Sequence, residues 1–151
     1  MLTLKKQAIM ITVNQVLSGK PSHVFSVSPK TTVFEALEVM MNKNISALIV
    51  MERNELCGIF TERDYARKIV LKGKSSKDTP VSEIMTAKLI TVDPANSIDH
   101  CMKIMTEKHI RHLPVVQNDQ VLGMLSIGDA VKSIIEVQRS TIEQLQTYIS
   151  S

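Results

Sequence analysis

Tryptophan is absent from this chain, and two tyrosines and three phenylalanines are its only aromatic residues. Holding single-stranded nucleic acid by stacking bases on aromatic rings is therefore poorly served. Cysteine occurs only at Cys57 and Cys101. That is too few for a disulfide scaffold, and the two lack metal-ligand spacing, which points to a reducing compartment. No uncharged apolar run approaches the length of a membrane-spanning helix. The opening stretch, MLTLKKQAIMITVNQVL, carries two lysines, but Asn14 and Gln15 interrupt its apolar part and no export signal is read there. The net charge of +3 is too small to imply a nucleic-acid partner by itself. A soluble, unexported, cytoplasmic protein without membrane contact is expected. Apolar residues, by contrast, make up 44% of the 151 residues, enough for a buried core in one compact domain or two small ones that share it.

The chain repeats itself. Residues 27–69 align with 92–134 without a gap. The identical pairs are Val27/Val92, Pro29/Pro94, Met40/Met105, Lys43/Lys108, Ile45/Ile110, Leu48/Leu113, Val50/Val115, Gly58/Gly123, Asp64/Asp129 and Ile69/Ile134. The match extends backwards, because Val13–Leu17 resembles Val81–Met85, with a short insertion near Pro21–His23 in the first copy. Each copy has a short apolar strand (Val24–Val27, Leu89–Val92) that runs into a proline. A helix start follows, with Thr32 and Glu35 in capping-box spacing and Ser97 as the matching cap. Helical apolar spacing runs through Val33, Ala36, Leu37 and Met40, and through Ile98, Cys101 and Met105. Two strands around a polar turn come next: Ala47–Met51 with Leu56–Phe60, and Leu113–Val116 with Val121–Leu125. A second helix starts after Thr61 and after Ser126.

The expected fold is α+β, built from two β-α-β-β-α units packed against each other, since one such unit alone would be marginal. The expected divisions are an N-terminal helical segment over 1–23, a first module over 13–77, a second over 78–137 and a helical extension over 138–151. Lys72–Thr79 reads as a solvated linker. Ile135, Ile142, Leu145 and Ile149 keep helical spacing and extend the last helix, which would cover a partner subunit.

Two copies of one phrase carry the chemistry: Gly58-Ile-Phe-Thr61-Glu-Arg-Asp64 and Gly123-Met-Leu-Ser126-Ile-Gly-Asp129. Each places a hydroxyl at the junction of a strand and a helix and a carboxylate three residues on. Free N–H groups and the dipole at a helix start favour phosphate. A carboxylate accepts two hydrogen bonds from a ribose diol. The same phrase is also an ordinary helix cap, and residue physics alone leaves both readings standing.

With these motifs, with Val-x-Pro ahead of the first helix and with Ile110-Arg-His-Leu-Pro-Val-Val116, residues 13–137 resemble a tandem pair of CBS domains, modules that sense adenosine nucleotides. The stretch Thr61–Lys68 followed by Lys72–Ser76 is similar to small stand-alone CBS-pair proteins of bacteria and plant organelles. The resemblance implies two modules packed sheet to sheet with pseudo-twofold symmetry, clefts between them that bind AMP, ADP, ATP or NAD(H), and pairs that associate into dimers. Carried onto this chain, it implies that Asp64 and Asp129 hold ribose and that Thr61 and Ser126 contact phosphate. Ser26, Val27, Ile90, Thr91 and Val92 would line adenine, and Ala47, Leu48, Leu113 and Pro114 would wall it. Arg111 and His112 would reach phosphate in the site of Asp64, where Arg63 and Arg67 add charge. Ile127, Gly128 and Val131 make the second site less basic, so the Thr61/Asp64 site is expected to be the stronger for phosphates.

His100, His109 and His23 read as surface residues, and two spaced histidines without a third ligand make no metal site. The methionines read as core filler. Neither cysteine has a histidine-and-acid arrangement near it, so no thiol nucleophile, no catalytic residue and no catalytic cofactor are assigned. The expected function is regulatory: a nucleotide-binding module that reports energy or redox state to an unidentified effector protein, working as a homodimer, and not an enzyme. The alternatives are a ligand-free dimeric scaffold and, less favoured, a nucleic-acid binder using Lys72–Lys77.

Overall fold

The computed structural model describes residues Ile11–Lys20 and Val24–Ser150. Residues 1–10 and 21–23 of the expected N-terminal segment, His23 among them, lie outside the described residues. The elements, in order, are α1 (Val13–Ser18), β1 (Ser26–Val27), α2 (Val33–Lys43), β2 (Ala47–Glu52), β3 (Glu55–Thr61), α3 (Glu62–Tyr65), a π-helical turn (Ala66–Val70), a 3₁₀ turn (Val81–Glu83), α4 (Ile98–Lys108), β4 (His112–Gln117), β5 (Gln120–Ser126) and α5 (Ile127–Ser150). The chain divides into two compact units. One comprises His23–Ile90 with Asn118–Val121; the other comprises Met1–Ser22, Thr91–Gln117 and Leu122–Ser151.

In the first-repeat unit β1 pairs parallel with β2, Val27 opposite Val50, and β2 pairs antiparallel with β3. Thr32 and Glu35 form the expected capping box on α2, and Asn44 ends that helix in the left-handed region. The polar turn between β2 and β3 takes Arg53 and Asn54 through positive φ, which matches the twist of a two-residue hairpin. Val33, Ala36, Met40, Leu48, Val50, Phe60 and Ile69 fill the core. The second-repeat unit repeats the scheme. Ser97 caps α4, His109 ends it in the left-handed region, and Asn118 and Asp119 turn β4 into β5. Ile98, Cys101, Met105, Leu113, Val115, Leu125 and Ala130 are buried. Of the methionines, Met40 and Met105 are core, whereas Met41 is 78% exposed.

Two expectations need correction. The strand expected at Leu89–Val92 shrinks to a single parallel bridge, Val92 to Val115. Pro114 stands where Ile49 stands in the first repeat. It has no N–H, so the bond from Ile49 N to Phe25 O has no counterpart. The second helix of the first repeat is regular only over Glu62–Tyr65 before it widens into the π turn.

The third difference concerns the leading segments. Val13–Leu17 precedes the first repeat but packs with the second. Val13 N donates to Asn96 O (2.9 Å), Asn14 N to Pro94 O (2.9 Å), and Ile98 N to Ile11 O (2.8 Å). Val81–Met85, which precedes the second repeat, packs with the first in the same register. Val81 N donates to Thr31 O (2.8 Å), Ser82 N to Pro29 O (3.0 Å), and Val33 N to Thr79 O (2.9 Å). Each compact unit thus contains the leading segment of the other copy, and the division at residues 13–77 is crossed by the packing. Val13 and Val81 are wholly buried, each stabilising its unit by about 1.5–3 kcal/mol.

The crossing segment also explains the repeated glycine. A Cβ on Gly58 would lie 2.8 Å from both Met85 Sδ and Thr86 O, and one on Gly123 would lie 3.2 Å from Leu17 Cδ2. Met85 and Leu17 are equivalent residues of the two leading segments. Gly58→Ala meets a backbone carbonyl that cannot swing aside, and should cost about 1–3 kcal/mol. Gly123→Ala meets only a leucine methyl and should cost less. Thermal denaturation of the two variants checks this, at about 2–4 °C per kcal/mol for a chain of this size; equal losses would show that the carbonyl is not the obstacle.

Candidate functional site

Both repeated acids stand at a strand-to-helix junction, and both close a helix cap. Thr61 caps α3: its Oγ1 accepts from Asp64 N, and Asp64 Oδ2 accepts from Thr61 N (3.0 Å). In the second repeat Ser126 Oγ accepts from Asp129 N (3.1 Å), while Asp129 Oδ2 accepts from Ser126 N (3.0 Å). The cap reading is therefore realised twice, and each carboxylate is fixed at the junction by its own backbone.

The remaining bonds of the two acids differ. Asp64 Oδ1 accepts from Thr86 Oγ1 (3.0 Å) and from Lys68 Nζ (3.1 Å), and its side chain is only 8% exposed. Lys68 Nζ also donates to Ile84 O (2.9 Å). Asp64 thereby ties together its own cap, the π turn that follows and the crossing segment Ile84–Thr86. Asp129 instead accepts from Lys20 Nζ at 2.7 Å, and that ammonium also donates to Met124 O (3.1 Å). Burial pushes the Asp129 carboxyl up. The Lys20 ammonium and the two Ser126 hydrogen bonds outweigh it and hold the group below the ordinary carboxylate value. The second acid thus has a cation after all, supplied from outside its repeat. A groove of about 410 Å³ opens beside this pair, between α1 and α5, with Gln15, Val16, Lys20, Asp129 and Lys132 in its walls.

The other expected site residues fall into two groups. Ser26, Val27, Ala47, Leu48, Thr61, Arg63 and Asp64 belong to the first-repeat unit, as does Ile90; Thr91, Val92, Arg111, His112, Leu113, Pro114, Ser126 and Asp129 belong to the second. Ser26, Thr91, Arg63, Arg67 and Arg111 are exposed, Val27, Ile90 and His112 are half-buried, and Ala47, Val92 and Pro114 are buried. Leu48 and Leu113 have no exposed surface. Ala47 pairs with Thr61 across the β2–β3 ladder, and Ile127 N donates to Arg111 O, so strand starts and helix starts are held together in each unit. His112 is lowered below the ordinary imidazole value by burial, with Arg111 and Lys20 adding to that shift and Asp129 opposing it.

Sequence reasoning missed Lys20, Lys68 and Thr86. Lys68 lies four residues after Asp64, a readable helical pair. Thr86 and Lys20 follow the two leading segments, whose crossed packing is not encoded in spacing. Cys101 is buried and its thiol is pushed up to about 11 by burial, which suits packing rather than reactivity. Cys57 is half-buried, and its Sγ approaches Glu55 O (3.6 Å). His100 and His109 are exposed. No cluster of three metal-ligating side chains occurs among the described residues. No described helix is long and apolar enough to cross a membrane.

A duplicated β-α-β-β-α unit with a hydroxyl cap and an acid at each second helix defines a class of paired α+β modules. The CBS domain is matched at residues 20–71 and again at 81–136, and the chain belongs to the CBS-domain family. It is 44% identical over 123 residues to the mitochondrial CBS domain-containing protein CBSX3 of Arabidopsis thaliana, covering 78% of this chain and 60% of that protein. With CBS domain-containing protein YhcV of Bacillus subtilis it shares 34% identity over 108 residues, 72% of this chain and 76% of the relative. A solved CBS-domain protein from Burkholderia ambifaria MC40-6 is 48% identical and superposes with a TM-score of 0.81 over 83% of this chain and 94% of that one. The chain thus spans less than two thirds of the plant relative's length.

His112 and Asp129 each contribute to the acid side of the stability profile. The unfolded chain protonates its histidine near 6.5, whereas the folded chain resists the proton at His112. More protons are then bound unfolded than folded, so this contribution is full above that value and is lost as pH falls toward the folded-state one. The Asp129 contribution persists lower, disappearing as pH falls below the ordinary value of 3.8. The Tm should fall between about pH 7 and pH 5, and His112→Gln should flatten that fall. A variant with the wild-type slope would place the titration elsewhere.

Proposed function

We propose that this protein is a regulatory nucleotide-binding module. It binds AMP, ADP, ATP or NAD(H) in the cleft between its two CBS repeats and passes the occupancy to an effector protein. The observation that carries the reading is the twofold occurrence of one junction, with hydroxyl, helix start and acid in the same geometry, in a chain of the CBS-domain family. Thr61 and Ser126 contact phosphate, Asp64 and Asp129 take the ribose hydroxyls, and Ser26–Val27 and Ile90–Val92 line adenine, with Ala47 and Pro114 beside them and Leu48 and Leu113 supporting from below. Arg63, Arg111 and His112 supply charge toward phosphate. The module acts by bound-state bias rather than by chemistry. A differential affinity of about 1–3 kcal/mol between two states gives roughly 5–150-fold coupling to the effector. The module works in the cytoplasm as a homodimer. The free thiols of Cys57 and Cys101 are consistent with a reducing compartment, and the exposed apolar residues Ile135, Ile142, Leu145 and Ile149 along α5 support self-association.

One observation favours a second reading, a ligand-free scaffold: both oxygens of Asp64 are already taken by partners of its own chain. Calorimetric titration and thermal shift with AMP, ATP and NADH separate the two. Binding should release or absorb heat and raise the Tm, by about 2.7 kcal/mol of stability at a hundredfold excess over Kd. No heat and no shift at millimolar ligand would leave the scaffold reading in possession.

A further inference from the structure

The two repeated acids hold their ammonium partners in different ways. Lys68 reaches Asp64 from the same helical segment, four residues on, and is anchored again at Ile84 O. Lys20 reaches Asp129 from the end of α1, 109 residues away in sequence. Among the described residues its two acceptors are Asp129 Oδ2 and Met124 O. The acid is more open than its counterpart, 23% exposed for Asp129 against 8% for Asp64, while the two lysine side chains are alike, 36% for Lys20 and 41% for Lys68.

We propose that Lys20 is the phosphate-reading residue of the site built on Ser126 and Asp129, resting on the carboxylate until a phosphorylated nucleoside draws it away. The proposal rests on the nucleotide reading above. A ribose diol offers two O–H donors, and a carboxylate has lone pairs enough to receive both beside one backbone N–H, provided no ammonium stands in the approach. Oδ2 already accepts from the Ser126 N–H and from the ammonium. The backbone bond is part of the cap and stays; the ammonium is the partner that can leave. Its departure strips Asp129 of its counter-ion and leaves a cation without an anion. A ligand phosphate restores one, whereas an unphosphorylated nucleoside sends the ammonium into water with no new partner. The groove of about 410 Å³ beside the pair, with Lys132 and Glu136 in its walls, gives the displaced side chain room to swing off the carboxylate. Asp64 lacks this option. Its ammonium is bound within its own helical segment, and its carboxylate also holds Thr86 of the crossing segment.

The test is calorimetric titration of the full chain with AMP and with adenosine, for wild type, Lys20→Met and Lys20→Arg. Amide hydrogen exchange over Val13–Lys20 is followed alongside, because Lys20 ties the end of that segment to Asp129 and not to Asp64. Lys20→Met should weaken AMP at least tenfold while adenosine changes less than twofold or tightens, and Lys20→Arg should keep the wild-type preference. AMP should speed exchange in Val13–Lys20 of the wild type more than adenosine does. An unchanged AMP-to-adenosine ratio in a Lys20→Met protein with the wild-type circular dichroism spectrum would overturn the role of Lys20 alone, as would equal losses for both ligands. Failure of the wild type to bind either ligand would overturn the nucleotide reading, and this role with it.

Discussion

The backbone bonds that fasten each leading segment into the unit of the other repeat set the terms for everything else in this structure. Val13 on Asn96 and Val81 on Thr31 are the same bond made twice, as are Asn14 on Pro94 and Ser82 on Pro29. A buried N–H must find an acceptor, and in both copies the acceptor is the turn that leads into the first helix of the other repeat. With that register fixed, the side chains of Leu17 and Met85 are driven onto equivalent points, where a Cβ would crowd Thr86 O and Met85 at Gly58 and press more lightly on Leu17 at Gly123. The repeated Gly58 and Gly123 are thus a consequence of how the leading segments cross, and the phrase that begins with them is held to one geometry by its neighbour as well as by its own hydrogen bonds.

Much of this was legible in advance. The repeat, the strand and helix order, both helix caps and the polar hairpin turns follow from local spacing, and Thr32, Ser97, Asn54 and Asp119 sit where that spacing puts them. The position of Asp64 and Asp129 at helix starts was legible for the same reason, because a cap is made within three residues. What local pattern does not encode is which distant segment completes a unit. Val13–Leu17 carries the same pattern as Val81–Met85 and gives no sign that it packs away from the repeat it precedes. The loss of the strand at Leu89–Val92 was readable only through Pro114, whose missing N–H matters once the parallel register with Val92 is known. Lys20 is the clearest case: as one lysine among the chain's 18 basic residues it carries no signal of its own, and it becomes informative only when α1 is placed beside α5.

Duplication gave two equivalent junctions, and the need to neutralise a fixed carboxylate was met differently in each. In the first, the widened turn at Ala66–Val70 follows the cap directly, and Lys68 within it satisfies the acid and a carbonyl of the crossing segment at once. In the second, Ser133 stands at the position of Lys68, so that route is closed, and the cation comes from Lys20. The charge requirement is the same; the element that supplies it is not.

That difference has an energetic reading. An exposed ion pair is worth about 0–1 kcal/mol, because water competes for both partners, and the pair of Lys20 with Asp129 is half-buried, its acid 23% exposed. Breaking one partner away from a buried, multiply bonded carboxylate is far more costly, since the charge left behind has no water to turn to; Asp64, 8% exposed and tied to three other side chains and backbone groups, is of that kind. A site that must exchange internal partners for those of a ligand works only where the internal ones are cheap to release. By that criterion the two junctions, equal in sequence motif, differ: the carboxylate of the first is the more deeply buried, and it alone is also bonded to the crossing segment.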